Sequence, residues 1–272
     1  MLNTRTRSAV ELRPAVESLE DRNLMSTVIL ADIDTPSGSM SSWIAARSDW
    51  GIHDPTPLGN YLLPGFDCRG KSPVPAASLA TNSYTHGTYM AARYALSLIQ
   101  AGQTPLVETM IAGTDAGGFT SNAIGSAMIK VAQQQTTHNA RHDGIRMVVA
   151  LPVEPGIAAP KERQGRQMLA QLNVPISEAA GNRGVGFLPL ENNSTLIAEN
   201  ADTNGILYPS SSRGFNGTVV IPGSSAFGTS GATEVGAAWL AMGELRYPGA
   251  PAVKIVRAVQ AIGTLSTTPR FF

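Results

Sequence analysis

Four residues in small-residue frames supply groups suited to acyl-transfer chemistry: Asp34 in VILADIDT, His86 in HGTYMAARYA, Asn182 in ISEAAGNRG and Ser230 in GTSGATEVGAA. A hydroxyl such as that of Ser230 is a weak nucleophile until a general base takes its proton. The imidazole of His86 is a base of the right type, and a carboxylate such as Asp34 orients an imidazole and steadies its charged form. The amide of Asn182 can donate to an oxyanion, together with the backbone N–H of Ser230. Each residue also has a plainer reading. Asp34 starts a turn before Pro36 and Gly38, His86 and Ser230 cap helices, and Asn182 sits in a Gly-rich loop. Singly the plain readings win; the joint occurrence, in this order, favours the catalytic one.

Neighbouring candidates are weaker. Asp32 would share a strand face with Asp34, but Asp34 is preferred because Thr35 follows it at the strand end. His53, His138 and His142 lie in polar or turn-like contexts. His138 and His142 have the four-residue spacing of a metal pair on a helix, and a solvated surface pair is the plainer account. Cys68 is the only cysteine, so an intrachain disulfide and a thiolate cluster are both excluded. Its stretch FDCRGKSP reads as a surface turn with a buried or incidental thiol. The chemistry needs no cofactor and no metal.

The elements that must position these residues alternate between strand and helix. Residues 27–33 are a β-branched apolar run ending in Asp, and 106–111, 147–151, 176–180, 195–198 and 218–221 are further strand candidates. Apolar residues at 90, 94 and 98 give 86–100 a helical spacing; 122–135 and the Ala-rich 231–245 read as helices too. Alternation of this kind predicts a mostly parallel sheet covered by helices on both faces. In such a sheet functional residues gather at the carboxyl ends of strands. Asp34 ends a strand, and His86 and Ser230 open helices, so all three can meet on one rim.

The four stretches resemble the signature regions of the subtilases, the subtilisin-like serine peptidases, over most of residues 27–245. The order Asp, His, Ser is theirs; GTSGA also resembles an α/β-hydrolase elbow, but no His or Asp follows Ser230. The family frames D-[ST]-G, H-G-T-H-V-A-G and G-T-S-M-A-[TS]-P stand here as Asp34-Thr35-Pro36, His86-Gly87-Thr88-Tyr89-Met90-Ala91-Ala92 and Gly228-Thr229-Ser230-Gly231-Ala232-Thr233-Glu234. The A-A-G-N frame is intact through Asn182. The resemblance implies a three-layer α/β fold and an Asp34-His86-Ser230 triad with Asn182 as oxyanion donor. It also implies a peptide or protein substrate bound as an added strand between Ala116-Gly117-Gly118 and Ala150-Leu151. Ala180 and Gly181 would form one wall of the specificity pocket.

Pro36, Tyr89 and Glu234 depart from the family frames, and Glu234 sets an acid within a turn of the oxyanion site. Those departures motivate a rival from another class, a catalytically inactive module that binds peptides or serves surface assembly. A sedolisin-like peptidase is a third reading, disfavoured because that family has Glu where His86-Gly87-Thr88 stands.

Composition bounds the remaining classes. The 272 residues carry 20 basic and 20 acidic side chains, a formal net charge of zero that suggests no nucleic-acid partner. No apolar run reaches the roughly 20 residues that span a bilayer. Residues 1–25 are charged and lack an apolar signal core, and one domain is expected over 26–272. Leu19-Glu20-Asp21-Arg22 resembles an N-terminal segment of exported or surface proteins of environmental bacteria, from which an extracellular or surface location is expected, with a cytoplasmic one as the alternative.

Overall fold

The apolar run after Thr27 forms β1 (Thr27–Asp34), which lies in the middle of the sheet and is buried from Val28 onward. The structure is a computed structural model, and it describes residues 27–36, 60–75, 85–114, 118–153, 158–184, 186–187, 193–202, 204–214, 218–222 and 228–262. The charged segment 1–25 and His53 lie outside the described residues.

After β1 come β2 (Leu62–Asp67), β3 (Ser72–Val74), α1 (His86–Gln100), β4 (Val107–Ile111), α2 (Ser121–Arg141) and β5 (Ile145–Leu151). Then follow α3 (Pro160–Gln171), β6 (Ile176–Ala179), β7 (Gly186–Phe187), β8 (Thr195–Ala201), β9 (Arg213–Gly214), β10 (Thr218–Pro222), α4 (Gly228–Arg246) and α5 (Ala252–Ile262). Eight strands form one sheet in the order β10-β8-β6-β5-β1-β4-β2-β3, parallel except for the β2–β3 pair. β7 and β9 make a separate two-stranded pair. The mostly parallel α/β sheet expected from the sequence is the observed one.

Side-chain alternation along β1 divides the core into two layers. Val28 and Leu30 pack with α1 and α4, through Tyr94, Leu96, Val235 and Trp239 among others. Ile29, Ala31 and Ile33 pack on the other side with α2, through Ile124, Met128 and Val131. Asp32 and Asp34 continue the even-numbered series and so face the α1/α4 layer. α2 and α3 cross closely at two glycines. A Cβ on Gly125 would lie 2.5 Å from the Glu162 nitrogen, and one on Gly165 2.6 Å from the Met128 Cβ.

Several elements differ from the sequence expectation. α2 runs on to Arg141, α4 begins at Gly228 rather than 231, and the hairpin β2–β3 and helices α3 and α5 lie where no element was read. Ser230 is therefore inside the first turn of α4 rather than at its cap.

Candidate active site

Asp34 closes β1, and its carboxylate is fully buried. Oδ1 accepts the Thr35 backbone N–H at 2.6 Å, and Oδ2 lies 2.6 Å from the Nδ1 of His86. Two built-in contacts bring His86 there. Thr85 caps α1 by accepting the Thr88 N–H at 3.3 Å, and the Thr35 hydroxyl accepts the Gly87 N–H at 2.8 Å. Gly87 is needed for that approach, because a Cβ on it would lie 2.2 Å from the Thr35 carbonyl oxygen. Burial opposes the charged imidazolium, but the neighbouring Asp34 charge and its hydrogen bond outweigh this and hold the His86 pKa above its ordinary value.

Ser230 is buried at 6% exposure, and its hydroxyl donates to the Pro152 carbonyl oxygen at 2.7 Å. Among the described residues it makes no hydrogen bond to His86. Pro152 is the first residue past β5, so this bond ties the start of α4 to the rim beyond the central strands. In place of a serine cap, Asn182 serves the helix. Its Oδ1 accepts the Thr229 N–H at 2.9 Å and the Thr229 hydroxyl at 3.2 Å. Thr229 Oγ1 in turn accepts the Gly181 N–H at 3.2 Å. Gly228, with φ of +55°, lets Asn182 this close, since a Cβ there would lie 2.2 Å from Oδ1. With its oxygen committed to the helix, the Asn182 amide presents its NH₂ as the free end. Thr229 carries this arrangement and escaped the sequence reading; its place directly before Ser230 was the available signal.

The substrate-flanking residues fare differently. Ala116 and Gly117 lie outside the described residues, and Gly118 donates its N–H to the Thr114 hydroxyl at 3.3 Å. Ala150 is paired on both sides, with Asp32 of β1 and Ser177 of β6, and Leu151 pairs with Glu178. Ala150 thus belongs to the sheet interior, and the β1–β5 register ends there, which puts Leu151 at the rim with Pro152. Ala180 is buried, and Gly181 turns the chain at φ of +98°.

Behind the rim lie two further carboxyls. Asp32 and Glu234 are fully buried, and among the described residues none of their four oxygens has a hydrogen-bond partner. Burial, and then the negative charge of Asp34, push the Asp32 pKa well up; burial, Asp32 and Asp34 do the same for Glu234. Glu234, expected from the sequence to set an acid within a turn of the oxyanion site, is buried in the core beside Asp32 and Asp34. A second buried network links Arg166 to Glu178 by two bonds of 2.7 and 2.8 Å, and to Glu162 by two of 2.8 and 3.1 Å. It fastens α3 to the end of β6, just before the Ala180-Gly181-Asn182 turn.

The remaining candidates stand apart. The His138 Nδ1 lies 2.9 Å from Asp143 Oδ2, and His142 closes α2 in the left-handed region. Among the described residues no group of three His, Cys, Asp or Glu side chains could hold a metal ion. Cys68 is buried in the β2–β3 turn, where burial pushes its thiol up to about 12, far from a thiolate nucleophile. No described helix is long and apolar enough to cross a membrane.

No family model matches the chain, and no curated protein matches it. Solved structures do. A cold-adapted subtilisin-like serine proteinase superposes with a TM-score of 0.62 at 16% identity, over 88% of this chain and 83% of the other. Sphericase gives 0.61 at 19% identity, over 88% and 85%. A lanthipeptide protease gives 0.59 at 15% identity, over 85% and 78%. The chain has the subtilisin-like fold.

Proposed function

We propose that this chain is a serine endopeptidase, and that the 2.6 Å contact between Asp34 Oδ2 and His86 Nδ1 is the observation that carries the reading. Asp34 fixes the imidazole so that Nε2 is the free nitrogen, the tautomer a general base needs. The Ser230 hydroxyl leaves the Pro152 carbonyl, gives its proton to His86 and attacks the scissile carbonyl. The oxyanion takes the Asn182 NH₂ and the Ser230 N–H. His86 then passes the proton to the departing amine, leaving an acyl-Ser230 ester, and a water activated by His86 cleaves it. The peptide lies as an added strand beyond Leu151, where Pro152 and Val153 leave the sheet. The subtilisin-like fold supports this reading at the level of peptidase chemistry, and the N-terminal segment supports placement outside the cell or on its surface.

The hydrogen bond from Ser230 to Pro152 favours a second reading, a peptide-binding module without turnover. Incubation with a diverse peptide mixture tests the pair. Internal cuts made by the wild type and absent with Ser230→Ala support the peptidase; peptide retention without new termini supports the module.

A further inference from the structure

Three carboxyls occupy one buried region beside His86. Asp32 and Asp34 share a face of β1, toward the layer of α1 and α4, and Glu234 comes from α4, one turn past Ser230. Among the described residues, only Asp34 of the three has hydrogen-bond partners, the Thr35 N–H and His86. The flanking strands bring Thr109 and Ala150 into register with Asp32, neither of them ionisable. From α1 the Tyr94 hydroxyl, fully buried and without a hydrogen-bond partner among the described residues, feels the Glu234 carboxyl. Arg93 is also buried on α1, where burial lowers its pKa to about 10. The charges that act on Asp32 and Glu234 are those of neighbouring carboxyls. An ionised carboxylate without donors is strongly disfavoured in such a place, because burial strips its hydration and nothing replaces it. A carboxylic acid does not incur that cost, and it can donate a hydrogen bond.

We propose that Asp32 and Glu234 serve the Asp34–His86 couple as uncharged acids, so that Asp34 carries the only negative charge of the three-carboxyl cluster. The charge then sits on the one carboxyl that faces the imidazole. This role rests on the triad reading, but its tests need no turnover and can succeed or fail whether or not Ser230 reacts.

The experiment is a carboxyl-carbon NMR titration of the full chain labelled at Asp and Glu, with Asp32→Asn and Glu234→Gln assigning the two signals. Both carbons are expected to keep the shift of a protonated acid at pH 7. A carboxylate at either position at pH 7, or titration near the ordinary values of about 4, overturns the proposal. The His86 titration supplies a readout that packing alone does not move. In the double amide variant its midpoint stays at the wild-type value; a fall would mean that negative charge had been removed, which contradicts uncharged acids. Linkage adds a third readout. The folded acids hold protons that the unfolded chain releases above about pH 4, so stability falls as pH rises from there toward their folded values. The double amide variant flattens that slope, and an unchanged slope counts against the proposal.

Discussion

The Asn182 side-chain oxygen accepts the Thr229 N–H at 2.9 Å, so the residue before Ser230 fixes which end of the Asn182 amide faces outward. An oxyanion donor works when it is aimed before the charge develops. Asn182→Ala should lower the second-order rate of fluorophosphonate labelling by about 10²–10³, a magnitude taken over from subtilisin. Thr229→Val keeps the backbone donor and loses only the two hydroxyl contacts, so its labelling rate should fall by less. Equal losses in the two variants would show that the hydroxyl, not the N–H, sets the amide.

The raised His86 pKa fixes the sign of the acid limb. A base must be neutral to accept the Ser230 proton, so reaction at Ser230 is present above the His86 pKa and lost as pH falls through it. The midpoint should lie above the ordinary histidine value of about 6.5, because the Asp34 charge and hydrogen bond outweigh burial. In Asp34→Asn the midpoint should drop, and the rate should fall by up to about 10⁴ as the wrong tautomer is held. A rate profile measured over the acid range decides it; a midpoint unmoved by Asp34→Asn would separate the imidazole from that carboxylate.

Gly87 and Gly228 are the two tightest glycines of the site, and at Gly87 the neighbour is backbone. Gly87→Ala would set a methyl 2.2 Å from the Thr35 carbonyl oxygen, so either α1 or the end of β1 must shift. Overpacking of this kind costs about 1–3 kcal/mol, and here the obstacle is backbone. The expected result is a lower denaturant midpoint together with loss of the Asp34–His86 contact. That loss would be seen as a His86 titration returning toward its ordinary value.

Arg166 is only 4% exposed and is shared by Glu178 and Glu162, which are also buried. Removing one member of a buried ion network strands the others, at about 3–5 kcal/mol. Arg166→Ala should destabilise by that amount in denaturant unfolding, and much more than Arg163→Ala on the same helix. Replacing Arg166, Glu162 and Glu178 together by apolar residues of similar volume should recover most of the loss.

Burial of Glu244 makes stability depend on pH near neutrality. Its carboxyl is pushed up to about 7 by burial, with Arg146 at 3.4 Å pulling the other way. The folded pKa exceeds the unfolded one, so stability falls as pH rises from about 4 to about 7 and levels off above. Glu244→Gln should remove that component from stability curves measured at several pH values, and the raised acids Asp32 and Glu234 add to the slope in the same direction.

Elements with strong local patterns were legible in the sequence. The β-branched run ending at Asp34 and the spacing of Met90, Tyr94 and Leu98 are properties of neighbouring residues, and they became β1 and α1. β2 and β3 were not legible because Pro64, Gly65 and Pro73 argue against strands. They are tolerated near the sheet edge, where the register shifts between Leu63 and Phe66. α3 is poor in apolar residues, and its inward face is Leu169 with Gly165 and the Arg166 network. The start of α4 was misplaced because the Thr229 cap comes from Asn182, 47 positions earlier. The Ser230–Pro152 bond spans 78 positions and leaves no local signature. The candidate reactive residues stand out by their sequence frames; their partners depend on contacts that only folding creates.

The central claim is that His86 makes the Ser230 hydroxyl nucleophilic, although that hydroxyl rests on Pro152. Reaction of the folded chain with a fluorophosphonate, followed by mass analysis of the peptide containing residue 230, tests it most directly. The predicted result is one phosphonyl adduct on Ser230, absent in Ser230→Ala and strongly reduced in His86→Ala. A folded protein that never acquires the adduct, or acquires it equally well without His86, contradicts the claim.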